Sequence, residues 1–315
     1  MQAQTLYLRY FNELKGKGSL MAVVTSPKTP TLYKRNLEYI PRIAAVHDLC
    51  GYGKCSLGVA IPVLSAAGAD VCPVPTGLFS SHTAFPGWYM HDTTSILADY
   101  LAAWKGIDVE IDAVYSGFLG APEQVDIIRD IYATYPNALR VVDPVMADHG
   151  KVYPTYTPEL CQAMAELAGE ADILTPNLTE AAIILDREWT GTNISDDQAK
   201  EIIDALISKG AKNVVLKGIQ RDGETEIRNF VGGVDCDVFE VHNEFIPYML
   251  HGTGDLYCSC LLAGIMAGKT LFEAAWFAGN LTRDAIEVST KQPHFQERGV
   301  SFELLLGKVA ALLKA

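Results

Sequence analysis

From Arg42 onward the chain repeats one unit: a short apolar or β-branched run, a turn signal, then an amphipathic stretch. Residues 43–46, 71–75, 113–115, 140–142, 173–174 and 214–217 read as strands. Residues 57–67, 93–105, 122–135, 158–168, 178–186 and 196–209 read as helices, the last introduced by Ser195 as an N-cap. Strands joined through helices return as parallel neighbours, and a parallel sheet has to be covered on both faces. The expected fold is therefore α/β, with a mostly parallel central sheet and helices on both sides. Residues 225–231 and 237–241 read as a hairpin joined by Gly232 and Gly233, and 253–267, 271–289 and 301–313 as closing helices. Hydrophobic residues make up 49% of the 315, enough to core one large domain over residues 42–315. Residues 1–41 mix basic, aromatic and proline residues without a period, and read as an amino-terminal extension in which Met21 is an alternative start.

The formal net charge of -13 argues against a nucleic-acid surface and against an anionic membrane, and favours solubility. It does not oppose a nucleotide, because a local loop and a metal can hold phosphate. No apolar run approaches the roughly 20 residues of a membrane span. The seven cysteines form no CxxC pair and no zinc spacing, so reduced, buried thiols and a cytoplasmic location are expected.

In such sheets ligands bind beyond the carboxyl ends of the strands. The chain's chemistry-bearing residues fall there. His251-Gly252-Thr253-Gly254-Asp255 precedes an apolar helix; two glycines allow a sharp turn, and the helix adds orphan amides and a positive dipole end for phosphate oxygens. Asp255, on the first turn, is placed to take the proton of an attacking alcohol. Alone, this reads equally as a glycine loop with an acidic cap. Asp143-Pro144-Val145-Met146-Ala147-Asp148 and Thr175-Pro176-Asn177-Leu178-Thr179-Glu180 follow two further strands, and hard oxygen ligands at strand ends suit Mg²⁺ on a nucleotide. Each alone is also ordinary capping chemistry; together they favour a phosphate–metal site. A Walker A sequence and protein-kinase motifs are absent, and Gly51-Tyr52-Gly53 is too short for a dinucleotide fingerprint.

The D-P-V-M-x-D, T-P-N-x-x-E and G-T-G-D stretches, in this order, resemble the ribokinase-like superfamily, and within it the branch of pyridoxal and hydroxymethylpyrimidine kinases. The resemblance runs from about Arg42 to the last helix. It implies a kinase using ATP and Mg²⁺, with Asp255 as base and Gly252, Thr253 and Gly254 as the anion hole. It implies Asp143 and Glu180 as metal organisers, with Asp148, Thr175, Asn177, Lys217 and Gly218 at the nucleotide. It places His47, Asp48, Tyr52, Phe79, His82, Thr83 and Phe118 at the substrate, with Tyr52, Phe79 and Phe118 as an aromatic slot and Ser116-Gly117 nearby. The turn at Gly51–Gly53 running into helix 57–67 matches the branch that lacks a strand lid. The F-S-S-H-T stretch is similar to pyridoxal kinases, whereas His47-Asp48 and Lys217 lean toward pyrimidine kinases. His251 stands near where some pyrimidine-type relatives carry cysteine, so no thiol trap is expected, and Cys258 and Cys260 are expected to be packed. The resemblance further implies a homodimer and leaves open a monovalent cation. The implied activity is phosphorylation of the hydroxymethyl group of a B6 vitamer; the alternatives are hydroxymethylpyrimidine, a sugar, or a non-catalytic vitamin- or nucleotide-binding regulator.

Overall fold

A computed structural model describes residues 27–314; the remainder of the expected extension, Met21 included, lies outside the described residues. The strands are β1 (Arg42–Tyr52), β2 (Asp70–Ser81), β3 (Met90–Asp92), β4 (Ala113–Ser116), β5 (Leu139–Val142), β6 (Ala147–Asp148), β7 (Lys151–Val152), β8 (Ile173–Leu174), β9 (Asn213–Gln220), β10 (Glu226–Gly233) and β11 (Cys236–Glu244). All but β6 and β7 form one nine-stranded sheet in the order β11-β10-β9-β8-β5-β4-β1-β2-β3. Strands β2, β1, β4, β5, β8 and β9 run parallel, and β3, β10 and β11 add antiparallel edges.

Alternation along the strands divides two cores. Ala44, Val46, Val114, Val142, Leu174 and Val214 face one layer. It is built from α2 (Thr94–Lys105), α3 (Glu123–Thr134), α4 (Pro158–Ala168), α5 (Leu178–Ile184) and α6 (Asp196–Ser208). Ile43, Ala113, Tyr115, Val141, Ile173 and Val215 face the other layer, with α1 (Leu57–Ala66), α7 (Thr253–Met266) and α8 (Leu271–Ser289). Each fully buried aliphatic side chain in these layers contributes about 1.5–3 kcal/mol. Helix α7 is buried from Asp255 to Met266, which is why it reads as apolar all round rather than amphipathic. The short helix α9 (Phe295–Arg298) then precedes Glu303–Leu305, α10 (Leu306–Ala310) and Ala311–Lys314, three short turns in place of the single expected helix 301–313.

Two further expectations are corrected. Gly51 and Tyr52 do not form a turn: β1 continues past a bulge between His47 and Leu49 and pairs Tyr52 with Ser81, so only Gly53, at φ 105°, turns the chain. Gly232 and Gly233 do not form the hairpin tip either; they lie in β10, and Gly233 pairs with Cys236. Their missing side chains admit neighbours instead, since a Cβ on Gly232 would meet Ile203 and Val238 at under 3 Å. Ahead of the sheet, Tyr39 Oη donates to Asp112 at 3.0 Å and Arg35 to the Gly68 carbonyl at 3.0 Å, holding residues 33–39 on the body.

Candidate active site

The strand order reverses around β1: β2 lies on one side and β4 on the other, and such a switch opens a crevice at the carboxyl ends. The expected residues converge there. Gly252 caps α7 at φ 80°, a left-handed conformation. A Cβ at this position would lie 2.1 Å from the Lys54 carbonyl oxygen, so only glycine fits and the turn is locked to the end of β1. Thr253 Oγ1 donates to the Leu250 carbonyl at 3.0 Å and fixes the next residue. Gly254 is exposed, and the one atom that a Cβ there would approach is Lys217 Nζ, at 3.8 Å. The turn, the free amides of α7 and an ammonium group thus face one space.

Asp255 is buried on the first turn of α7, and its Oδ1 has no partner. Burial first, then the Asp143 charge, push its carboxyl up to about 6, while the Ser56 amide and Lys217 pull it back. Asp143, just after β5, is fully buried; its Oδ1 accepts from Lys217 Nζ at 2.8 Å and from Thr175 Oγ1 at 2.9 Å, and its Oδ2 is unpartnered. Burial draws Lys217 down, but Asp143 and Glu180 outweigh it and hold the ammonium above its ordinary value, so it stays charged. Glu180 is itself buried and pushed up to about 8, chiefly by burial, against the pull of Lys217.

Glu180 and Asn177 form a capping box at the start of α5. Asn177 Oδ1 accepts from Glu180 N at 2.9 Å and its Nδ2 donates to the Ala147 carbonyl at 2.8 Å, so its polar side-chain atoms are spent inside the fold. Asp148 sits part-exposed on the β6–β7 hairpin and accepts from the His149 amide at 2.9 Å. Gly218, at φ 77°, donates to Asn229 Oδ1 and turns β9 just past Lys217.

On the substrate side the expected residues separate. His47 is fully buried with its ring edge-on to Tyr115 at 4.2 Å, and burial pushes it down to about 3. Neither of its ring nitrogens has a hydrogen-bond partner. Asp48 lies nearer: burial raises it to about 7, the Ser56 hydroxyl opposes this, and the Asp255 charge adds to it. Phe79 and Phe118 pack edge to face at 5.4 Å within a ring group that includes buried Tyr156 and half-buried Trp88. Tyr52 belongs to a second group, with Phe85 at 5.2 Å and the Arg298 guanidinium at 4.6 Å. His82 stacks on His251 at 4.3 Å and its Nε2 lies 2.8 Å from the Glu297 carbonyl, with Thr83 half-buried beside it. The single aromatic slot expected from sequence is thus divided between two ring groups.

Two residues escaped the sequence reading. Ser56 holds φ 51° and ψ -127°, a strained conformation that sets its amide on Asp255 and its hydroxyl on Asp48. Arg298 escaped for want of a motif, whereas His251 was named at the head of the glycine turn and only its stacking on His82 went unread. Cys258 and Cys260 are buried in α7, as expected.

The residues fit a hard cation in part. Asp143 Oδ2 is a buried, orphaned carboxylate oxygen, the donor Mg²⁺ prefers. Both oxygens of Glu180 already accept backbone amides, from Asn177 at 2.8 Å and Met146 at 3.4 Å. Among the described residues no group of three or more His, Cys, Asp or Glu side chains is gathered to hold a metal. Asp143 would bind the ion directly, and phosphate oxygens and water would complete its shell.

A glycine turn at a helix start, a buried carboxylate and a lysine–aspartate pair beyond a parallel sheet match a small-molecule kinase of the ribokinase-like class. Comparison with known proteins agrees. The phosphomethylpyrimidine kinase family matches residues 82–299. A pyridoxal kinase of Haemophilus influenzae is 33% identical over 229 residues, 66% of this chain and 75% of its own length. A protein of Bacteroides thetaiotaomicron solved with pyridoxal superposes with a TM-score of 0.80 at 33% identity, over 88% of this chain and 96% of that one. The pyridoxal kinase of Lactobacillus plantarum superposes with a TM-score of 0.80 at 26% identity, covering 87% and 98%. The chain belongs to the phosphomethylpyrimidine and pyridoxal kinase family of the ribokinase-like superfamily. Among the described residues no helix is long and apolar enough to cross a membrane.

Proposed function

We propose that this kinase transfers the γ-phosphoryl group of ATP to the hydroxymethyl group of pyridoxal, pyridoxine or pyridoxamine. The observation that carries the reading is Asp255, a buried carboxyl with an unpartnered oxygen beside the Gly252–Gly254 turn. Its ionised form accepts the substrate hydroxyl proton as the alkoxide oxygen bonds to the γ-phosphorus. The bond from phosphorus to the β-bridging oxygen breaks, and ADP leaves. The amides of the turn and Lys217 hold the charge that spreads over the transferring oxygens. Mg²⁺, held by Asp143, would neutralise the β- and γ-phosphates. The pyridoxal bound to the Bacteroides thetaiotaomicron relative supports a B6 vitamer as acceptor.

An ADP-release assay with Mg·ATP against the three vitamers, hydroxymethylpyrimidine and ribose tests the reading. Turnover with the vitamers supports it, and turnover only with another acceptor overturns the substrate assignment. The Asp255→Asn variant should lose about 10²–10⁴-fold in kcat while still binding ATP; near-normal turnover would remove Asp255 from the role of base. A hydroxymethylpyrimidine acceptor is the second reading. It is favoured by the matched family and by Asp48, whose raised carboxyl can donate a hydrogen bond to a ring nitrogen.

A further inference from the structure

Arg298 is a half-buried cation left without a counter-charge at the mouth of the site. Other arginines of this acidic chain, among them Arg129, Arg221 and Arg228, are held by carboxylates. Among the described residues Arg298 has no ion pair, and its Nε is buried with no hydrogen-bond partner. The neighbouring Glu297 does not supply one; its exposed side chain reaches His294 at 3.9 Å. The guanidinium instead lies over the Tyr52 ring at 4.6 Å.

Its position is fixed from several sides. Phe295 packs edge to face on Tyr248 at 5.1 Å, the Glu297 carbonyl meets His82, and Val300 N donates to the His251 carbonyl at 2.9 Å. A Cβ on Gly299 would lie 2.7 Å from that same carbonyl, so the strap runs in contact with the residue preceding Gly252. On the proposed function the nucleotide phosphates take the turn and Lys217, which face one space. Lys217 lies on β9 and Tyr52 on β1, with β8, β5 and β4 between them. The free guanidinium therefore lies at the β1 end of the crevice, away from Lys217.

We infer that Arg298 is an anion-recognition residue for the acceptor, its guanidinium binding a negatively charged oxygen on the substrate ring while Tyr52 braces it. This rests on the acceptor being a ring alcohol, as proposed above. The shared chemistry is an anionic oxygen substituent, either the phenolate of a pyridoxal-type ring or a phosphate ester already on a pyrimidine ring.

The test compares wild type, Arg298→Met, which keeps an apolar stem on Tyr52, and Arg298→Lys, which keeps the charge. Acceptors are pyridoxal, a pyridoxine analogue lacking the phenolic hydroxyl, and hydroxymethylpyrimidine monophosphate. The Met variant should raise KM for the anion-bearing acceptor at least about tenfold, the loss of one charge-assisted contact. It should leave KM for Mg·ATP within about twofold and the analogue unaffected, and the Lys variant should recover part of the loss. A loss confined to pyridoxal assigns the phenolate, and one confined to the monophosphate assigns the ester. Equal loss with the analogue, an equal rise in KM for ATP, or no change with any acceptor overturns the inference. If wild type turns over none of these alcohols, the proposed function fails separately. Calorimetric Kd values for pyridoxal and the monophosphate then judge Arg298, and equal binding by wild type and both variants removes it. Thermal unfolding shows whether the Met variant folds; if it does not, the Lys variant carries the test, with a smaller rise in KM for the anion-bearing acceptor and none for the analogue.

Discussion

Asp48, Asp255 and Glu180 are buried around one cleft, and each is pushed toward its protonated form chiefly by the loss of water. Only the ionised form of Asp255 can accept a proton, so kcat/KM should rise with pH along a limb centred near 6 and level off above it. A limb below about 4.5 would show that another group takes the proton. The same shift bears on stability. Between the ordinary carboxyl value of 3.8 and the folded value near 6, the folded state binds more protons than the unfolded one. Stability from this group therefore falls as pH rises through that window, and the cost is complete above it. Asp255→Asn should then stabilise the fold by on the order of 1–3 kcal/mol at pH 8. The gain should shrink toward pH 4 in urea titrations, and a destabilised variant at pH 8 would contradict this account. Activity and stability are opposed at this position, as is common where a charge is kept dry for chemistry.

At the scale of elements, the loop after β8 is held by a capping box rather than by ligands. Asn177→Ala removes the cap and the bond to the Ala147 carbonyl together, so a loss of about 1–2 kcal/mol in urea unfolding is expected. A rise in KM for ATP should accompany it, because the cap aligns Glu180 beside Lys217; unchanged stability would refute the structural role. This box was legible as Asn177 and Glu180 one helical turn apart at a helix start, where an Asn cap with an acidic first turn stood beside the reading of nucleotide and metal contacts. The parallel strands and most helices were legible too, because period and turn residues agree along them. The outer half of β1 was not, since Leu49–Tyr52 mixes exposed and glycine positions that resemble a turn, and β3 is too short to show a period. The strain at Ser56, the burial of His47 and the stacking of Arg298 depend on distant partners, which local pattern does not encode.

For the molecule as a whole, the cleft joins strand ends from the middle of the chain to α7 near its end, and a ligand filling it bridges both. Mg·ATP at about 100 times its Kd should add about 2.7 kcal/mol to stability. The melting temperature should rise by several degrees, and EDTA should reverse most of it; an unchanged melting point would place the nucleotide elsewhere. The contact between Gly252 and the Lys54 carbonyl also has a consequence in time. During synthesis the early strands emerge long before the turn that must seat against them, so the growing chain leaves the Lys54 carbonyl, just past β1, without the turn that covers it. Catalytic competence arrives as one of the last events of assembly, and a chain released before α7 would carry every strand of the sheet and the Lys217–Asp143 pair but neither the glycine turn nor Asp255.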